Sequence, residues 1–185
     1  HNAIMTTEII IAGFGGQGVL SMGKILAYTG LMADKNVSWF PSYGPEQRGG
    51  TANCTVIISD EDISSPIIDS YDVAIILNQP SMERFESHVK AGGAIIYDPY
   101  GIMTPPNRTD IDIYSIAAMD EAAKVGNAKA FNMFVLGGLL RILGITDEEV
   151  VGAALRKTLP ERHHGLIPMN IEALRKGAEI IEKKA

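Results

Sequence analysis

Two glycine-rich stretches hold the residue types from which an anion site is built. The first is Gly13-Phe14-Gly15-Gly16-Gln17-Gly18, spaced as G-x-G-x-x-G. It follows the apolar run Ile9-Ile10-Ile11-Ala12 and precedes an apolar-periodic stretch from Val19 to Ala33. A strand that turns through glycines into a helix leaves bare N–H groups at the helix start. Those donors and the positive end of the helix dipole suit a phosphate. In this reading Gly13 permits the tight turn, Gly15 the close approach of a ligand, and Gly18 close packing of helix on strand. The alternative is a tight strand–helix turn that binds nothing. The second stretch is Ser42-Tyr43-Gly44-Pro45-Glu46-Gln47-Arg48-Gly49-Gly50. Arg48 can grip a phosphate or carboxylate through paired N–H groups, flanked by the hydroxyls of Ser42 and Tyr43, the amide of Gln47 and the carboxylate of Glu46. The alternative is a surface Glu46–Arg48 pair in a loop, worth at most about 1 kcal/mol.

Other chemistry finds little support. A nicotinamide site expects an acid at the end of the second strand to hold the ribose. Here that strand ends Trp39-Phe40-Pro41-Ser42, and Asp34 lies before it. Lys24 follows Gly18 too late for a Walker lysine. The histidines are His1, His88 and the pair His163-His164, with no His-x-x-x-His or Cys-x-x-Cys spacing to grip a metal. Ser21, Ser42 and Ser81 have no histidine relay nearby in sequence. Cys54 is the single cysteine. It rules out an internal disulfide and a four-cysteine iron–sulfur cluster within this chain. Its place in a strand marks it as an inert core thiol. No residue is assigned a catalytic role, and no metal ligand is expected.

The 185 residues suit one domain over residues 5–185, and 46% of them are apolar, enough for a proper core. His1-Asn2-Ala3-Ile4, ahead of Met5, is set aside as a non-native addition or an upstream start. The net charge of −6 and the lack of a basic block argue against nucleic acid or an anionic membrane as partner. No apolar run reaches the roughly 20 residues of a membrane span. No signal-peptide pattern precedes Glu8, and a cytoplasmic location is expected.

The elements that must hold the two stretches follow from periodicity. Strands are expected at 8–12, 37–40, 51–59, 72–77, 94–97 and 111–114. Helices are expected at 17–34, 81–89, 119–125, 131–143, 147–155 and 171–183, with Thr146 as an N-cap backed by Glu149. Gly92-Gly93 reads as a turn into a strand, and Pro160 to Pro168 as a connector. Gly23 and Gly30 let a neighbour approach the first helix. Trp39, Phe40, Phe131 and Phe134 read as core. Buried-type strands alternating with helices predict a doubly wound α/β fold: a mostly parallel, Rossmann-like sheet with helices on both faces and a helical C-terminal region. Ligands in such sheets sit off the carboxyl ends of the strands. That would bring Gly13–Gly18, 41–50, Asn78-Gln79-Pro80 and Asp98-Pro99-Tyr100 to one edge.

Together, the two glycine motifs resemble the gamma subunit of 2-oxoacid:ferredoxin oxidoreductases. Val56-Ile57-Ile58-Ser59, Asp72 to Leu77, Gly92 to Asp98, Asn132-Met133 and Leu136-Gly137 fit the same family. The Ser-Tyr-Gly-Pro-Glu form of the second motif is more similar to the 2-oxoglutarate or branched-chain members than to the pyruvate members. The resemblance implies a heteromeric enzyme that decarboxylates a 2-oxoacid on thiamine diphosphate with magnesium, passes electrons through iron–sulfur clusters to ferredoxin, and releases an acyl-CoA. It implies partners in alpha, beta and in some members delta subunits, which hold those cofactors, and an isolated gamma chain without activity. The expected cofactor-proximal residues are Gly13, Gly15, Gly16, Gln17, Gly18, Ser42, Tyr43, Gly44, Glu46, Arg48, Gly49 and Gly50, facing CoA or the subunit interface. A free-standing nucleotide- or flavin-binding protein and a pure scaffold are the competing expectations.

Overall fold

The computed structural model describes residues 5–15, 18–42 and 51–185. The strands are β1 (Thr6–Phe14), β2 (Asn36–Ser42), β3 (Thr51–Ser59), β4 (Tyr71–Ile76), β5 (Val89–Tyr97), β6 (Asp112–Ser115) and β7 (Glu182–Lys183). The helices are α1 (Val19–Met32), α2 (Gln79–Phe85), α3 (Ala118–Lys124), α4 (Ala130–Leu143), α5 (Glu148–Thr158) and α6 (Ile167–Ile180). The strands form one sheet in the order β2-β3-β1-β4-β5-β6-β7. β1, β4, β5 and β6 run parallel, while β3 is antiparallel to both β1 and β2, and β7 is antiparallel to β6. The fold is therefore α/β with a mostly parallel sheet. β3 has slipped between the first two strands of the chain.

Burial on both faces explains the apolar runs. Ile9, Ile10, Ile11 and Ala12 are all buried, as are Val73 to Leu77. Ile9, Ile11, Cys54, Val56, Ile75 and Ile96 face a layer made by α1, α3, α4, α5 and α6. Ile10, Ala12, Ala74, Ile76 and Ile95 face a thinner layer of Met82, Phe85, Ile102 and Ile111, from α2 and the loop after β5. No helix among the described residues is long and apolar enough to cross a membrane.

Close backbone approach holds the thick layer together. A Cβ added at Gly177 would stand 1.9 Å from the Phe134 carbonyl oxygen, and one at Gly137 2.0 Å from that of Leu174. α4 and α6 thus touch backbone to backbone through a reciprocal pair of glycines. Gly23 and Gly30 play the expected part on α1, meeting Cys54 and Val37 of the sheet at 2.4 and 2.6 Å from a would-be Cβ.

Several boundaries differ from the sequence expectation, each for a local reason. β1 continues through Gly13 to Phe14 because β3 pairs with it as far as Phe14↔Thr51. Gly92 and Gly93 lie inside β5, where the register against β4 shifts, and Gly92 takes a positive φ of 82°. α2 stops at Phe85, so Val89 opens a strand instead of closing a helix. Asp147, not Thr146, caps α5: it is extended, and its Oδ1 accepts the Glu149 N–H at 2.9 Å. α6 begins at Ile167, with Pro168 in its first turn, where a missing N–H costs nothing. A 3-10 helix, Glu161–Leu166, replaces most of the expected connector. Phe131 and Phe134 are core residues and Trp39 packs against the core, but Phe40 is 45% exposed on the thin face.

Substituting Gly177 with Ala should destabilise the protein by about 2–3 kcal/mol, since neither contacting backbone can retreat without parting the helices. Gly152→Ala, whose Cβ would meet nothing nearer than Arg156 at 3.9 Å, should be neutral or stabilising by up to about 1 kcal/mol. Denaturant melts of the two variants measure the difference, and equal effects would overturn the backbone-contact account.

Candidate functional site

The register of β3 decides where the flanks of the glycine stretches lie. Phe14 faces Thr51 across the β1–β3 ladder, and Ser42 faces Asn53 across the β2–β3 ladder. The end of the first glycine strand, the end of β2 and the start of β3 therefore share one edge of the sheet. The carboxyl ends of β4 and β5 share it too, because the Leu77 N–H donates to the Ala12 carbonyl at 2.9 Å and the Ile116 N–H to the Tyr97 carbonyl. Asn78-Gln79-Pro80 and Asp98-Pro99-Tyr100 follow directly, as the α/β rule requires.

Of the expected site residues, Gly13 sits in β1 opposite Ala52, Gly15 is exposed just past β1, Gly18 precedes α1, and Ser42 ends β2. Gly16, Gln17, Tyr43, Gly44, Glu46, Arg48, Gly49 and Gly50 lie outside the described residues. Two glycine roles change. Gly13 belongs to the strand, so the turn falls after it. Gly18 takes φ 72°, and its missing Cβ leaves room for a helix, not a strand: a Cβ there would overlap the Asn132 amide of α4, with Nδ2 at 2.1 Å. The left-handed residue is costly for any side chain, which supplies the reason for glycine at this position. Among the described residues no side-chain cap bonds to the start of α1, and its first turn holds no acid. The first N–H groups of a helix have no partner within the helix, and those of α1 belong to this edge.

Two buried polar side chains shape the same edge. Asn78 is fully buried, and its Oδ1 accepts the Ser81 N–H at 2.9 Å. Its Nδ2 has no partner among the described residues. Asp98 is 2% exposed, with Oδ1 accepting from Tyr100 N at 3.0 Å and Oδ2 from Met119 N at 2.9 Å. Burial pushes the Asp98 carboxyl above the ordinary carboxylate range, and these N–H groups offset part of that rise. A cleft of about 260 Å³ opens beside the edge, lined by Thr51, Ala52, Asn53, Pro80, Ser81, Arg84 and Phe85. Arg84 lies over the Phe85 ring at 4.9 Å and brings a cation there. Periodicity gave no reason to single out Arg84. The Asn78-Gln79-Pro80 stretch, read as following a strand end, was the available signal.

The remaining candidates settle into structural roles. Cys54 is fully buried, its Sγ donates weakly to the Val19 carbonyl at 3.5 Å, and burial pushes the thiol up to about 12. That is the inert thiol expected. His88 contacts the Asp69 carbonyl, and His164 the Leu159 carbonyl, at 3.0 Å each. Among the described residues no cluster of His, Cys, Asp or Glu could hold a metal ion.

The family described as pyruvate ferredoxin/flavodoxin oxidoreductase matches residues 8–180. The chain belongs to this family. It is 43% identical to ketoisovalerate oxidoreductase subunit VorA of Methanothermobacter thermautotrophicus over 93% of its length. It spans only 36% of that relative. It is 32% identical to 2-oxoglutarate synthase subunit KorC of Methanothermobacter marburgensis, covering 96% of this chain and 97% of KorC. Among solved structures, the keto/oxoacid ferredoxin oxidoreductase gamma subunit of Geobacter sulfurreducens superposes with a TM-score of 0.79 at 25% identity, covering 97% of this chain and 99% of that one. The 2-oxoglutarate:ferredoxin oxidoreductase of Magnetococcus marinus, solved with 2-oxoglutarate, coenzyme A and succinyl-CoA bound, superposes with a TM-score of 0.83 at 26% identity, over 95% of this chain and 31% of that one. In this family the same fold thus occurs both as a separate chain and within longer ones.

Two measurements check the buried groups. Cys54 should resist a thiol reagent at about pH 8 until the protein is unfolded; fast native labelling would show the core to be open. Asp98 has a folded pKa raised above its unfolded value. Its contribution to stability is full below the ordinary carboxylate pKa and is lost as pH rises through the folded value. Asp98→Asn should therefore gain stability relative to the wild-type chain as pH increases from about 3 to about 7. A constant difference across that range would refute the burial account.

Proposed function

We propose that this chain is the gamma component of a heteromeric, cytoplasmic 2-oxoacid:ferredoxin oxidoreductase, and that its glycine edge forms part of the CoA entry site. The observation that carries the reading is the Phe14↔Thr51 register, which brings the flanks of both glycine-rich segments to one sheet edge. CoA presents a pyrophosphate and a 3′-phosphate. The open N–H groups at the start of α1 suit one such anion, and a guanidinium, Arg48, suits another. Coenzyme A in the related Magnetococcus enzyme supports the ligand class. Ketoisovalerate and 2-oxoglutarate relatives favour those substrate types over pyruvate.

In this assembly the reactive cofactors belong to companion alpha and beta chains. Thiamine diphosphate with magnesium supplies the carbanion chemistry of decarboxylation when bound, and clusters conduct electrons to ferredoxin. This chain's donor set does not fit a cluster, because its one thiol is buried and held protonated. Its own residues bind and orient the acyl acceptor and shape the rim through which it enters. The free-standing nucleotide-binding reading is weaker. The strand beside β1 is β3, so even an acid at the end of β2 would not adjoin the glycine turn as a dinucleotide ribose requires.

Arg48→Ala in the assembled complex should raise the KM for CoA about 10- to 100-fold, the loss of a charge-assisted hydrogen bond, with kcat for the 2-oxoacid little changed. Steady-state kinetics at varied CoA test this. An unchanged CoA dependence with assembly intact would remove the ligand role, and a failure to assemble would make the segment an interface.

A further inference from the structure

One loop on the glycine edge is built more firmly than an exposed loop needs. Between Tyr100 and Thr104 every backbone N–H has an acceptor within the protein. Tyr100 N donates to Asp98 Oδ1 at 3.0 Å. Gly101 N and Ile102 N donate to the carbonyls of Asp98 and Pro99 at 3.2 and 3.3 Å. Met103 N and Thr104 N both donate to Gln79 Oε1 at 2.8 Å. Gly101 lies so close to β4 that a Cβ would stand 2.1 Å from the Leu77 carbonyl oxygen, and Ile102 is buried beneath. The buried Asp98 carboxylate and the Gln79 amide are thus committed to holding this turn. Yet the turn presents two large apolar side chains to water, Tyr100 at 72% and Met103 at 90% exposure.

Connecting loops run over the surface and are more mobile than the elements they join, whereas this turn is held further, through Gln79 and the close approach of Gly101 to Leu77. A preorganised turn with an aromatic and a methionine outward has the composition of an interface centre, where Tyr and Met are enriched, and little is lost in ordering it on contact. We propose that the Tyr100–Met103 turn is a docking knob that seats in an apolar socket of the companion chain completing the active centre. This rests on the gamma-component reading. The occupant follows from two observations. The turn stands on the same edge as the start of α1, where a second chain must approach if it is to share a site. In VorA the larger part of the polypeptide lies outside the region matched by this fold, so a relative carries a further body of protein covalently joined to this domain.

The test uses the full chain and the thiamine-binding companion subunits from its own host. The variant Tyr100→Ser/Met103→Ser should keep the melting temperature of the wild-type chain, since both side chains are exposed, and should lose at least tenfold in affinity for the companions. Met103→Ser alone, at the most exposed position, should lose several-fold. Gln79→Ala, which releases the turn but keeps both apolar groups, should also weaken binding several-fold. Unchanged affinity in the double variant overturns the proposal while the gamma reading stands. Unchanged affinity with a raised KM for CoA also overturns it and makes the turn a ligand contact. A wild-type chain that binds no companion would overturn both the reading and the knob.

Discussion

The antiparallel ladder between β1 and β3 is the constraint on which the candidate site depends. It runs from Thr6↔Ser59 to Phe14↔Thr51, so the start of β3 is tied to the end of β1. In an ordinary doubly wound sheet the strand after the first helix would lie beside β1 and run with it. Here β2 is displaced outward and β3 returns between them. A chain that leaves the sheet at Ser42 and re-enters at Thr51 must do so on the glycine edge. A one-residue slip in this ladder would turn Cys54, Val56 and Ile58 out of the thick helical layer and put Asn53, Thr55 and Ile57 in their place. The core thus fixes the register, and the register brings the flanks of the two segments together.

The opposite end of the same strands is pinned by charge. Lys90 Nζ lies 2.6 Å from Glu8 and 3.4 Å from Asp72, and Asp72 accepts the Glu8 N–H at 2.7 Å. Burial disfavours the Lys90 ammonium, but its hydrogen bond to Glu8 and the nearby Asp72 hold its pKa above the ordinary value. At the glycine edge the polar groups serve backbone N–H donors instead: Asn78 caps α2, and Asp98 links the turn after β5 to the start of α3. One edge is closed by ion pairing, and the other is organised around backbone N–H groups.

The sheet, its buried strands and the shared edge were legible because both faces of β1 and β4 are covered, and double coverage writes a continuous apolar run into the chain. The insertion of β3 was not legible. Alternation in Thr51–Ser59 reports which face is buried and says nothing about the direction of the neighbouring strand. The cap of α5 was missed by one residue because Thr146 and Asp147 are both good caps, and only the extended backbone of Asp147 separates them. Phe40 was misread as core because an aromatic in a strand predicts a packed neighbour, whereas here the ring is 45% exposed. The cap of Asn78 on Ser81 and the bond of Asp98 to Tyr100 are local, but the burial of both side chains and the reach of Asp98 to Met119 are not revealed by spacing. Arg84 entered the edge through the direction of α2, which a composition of charges cannot give.

The glycine contact between α4 and α6 carries a consequence for how such a chain can change over time. Gly137 and Gly177 each abut a carbonyl of the opposite helix, so neither position tolerates drift, and a change at one cannot be rescued by shrinking the other. The outer surface of α6 obeys no such limit, for there Arg175 and Glu148 meet at the solvent-exposed rim through bonds of 2.5 and 2.6 Å that other pairs could replace. Side chains can therefore be exchanged on the skin of these helices, while their line of contact admits almost no replacement.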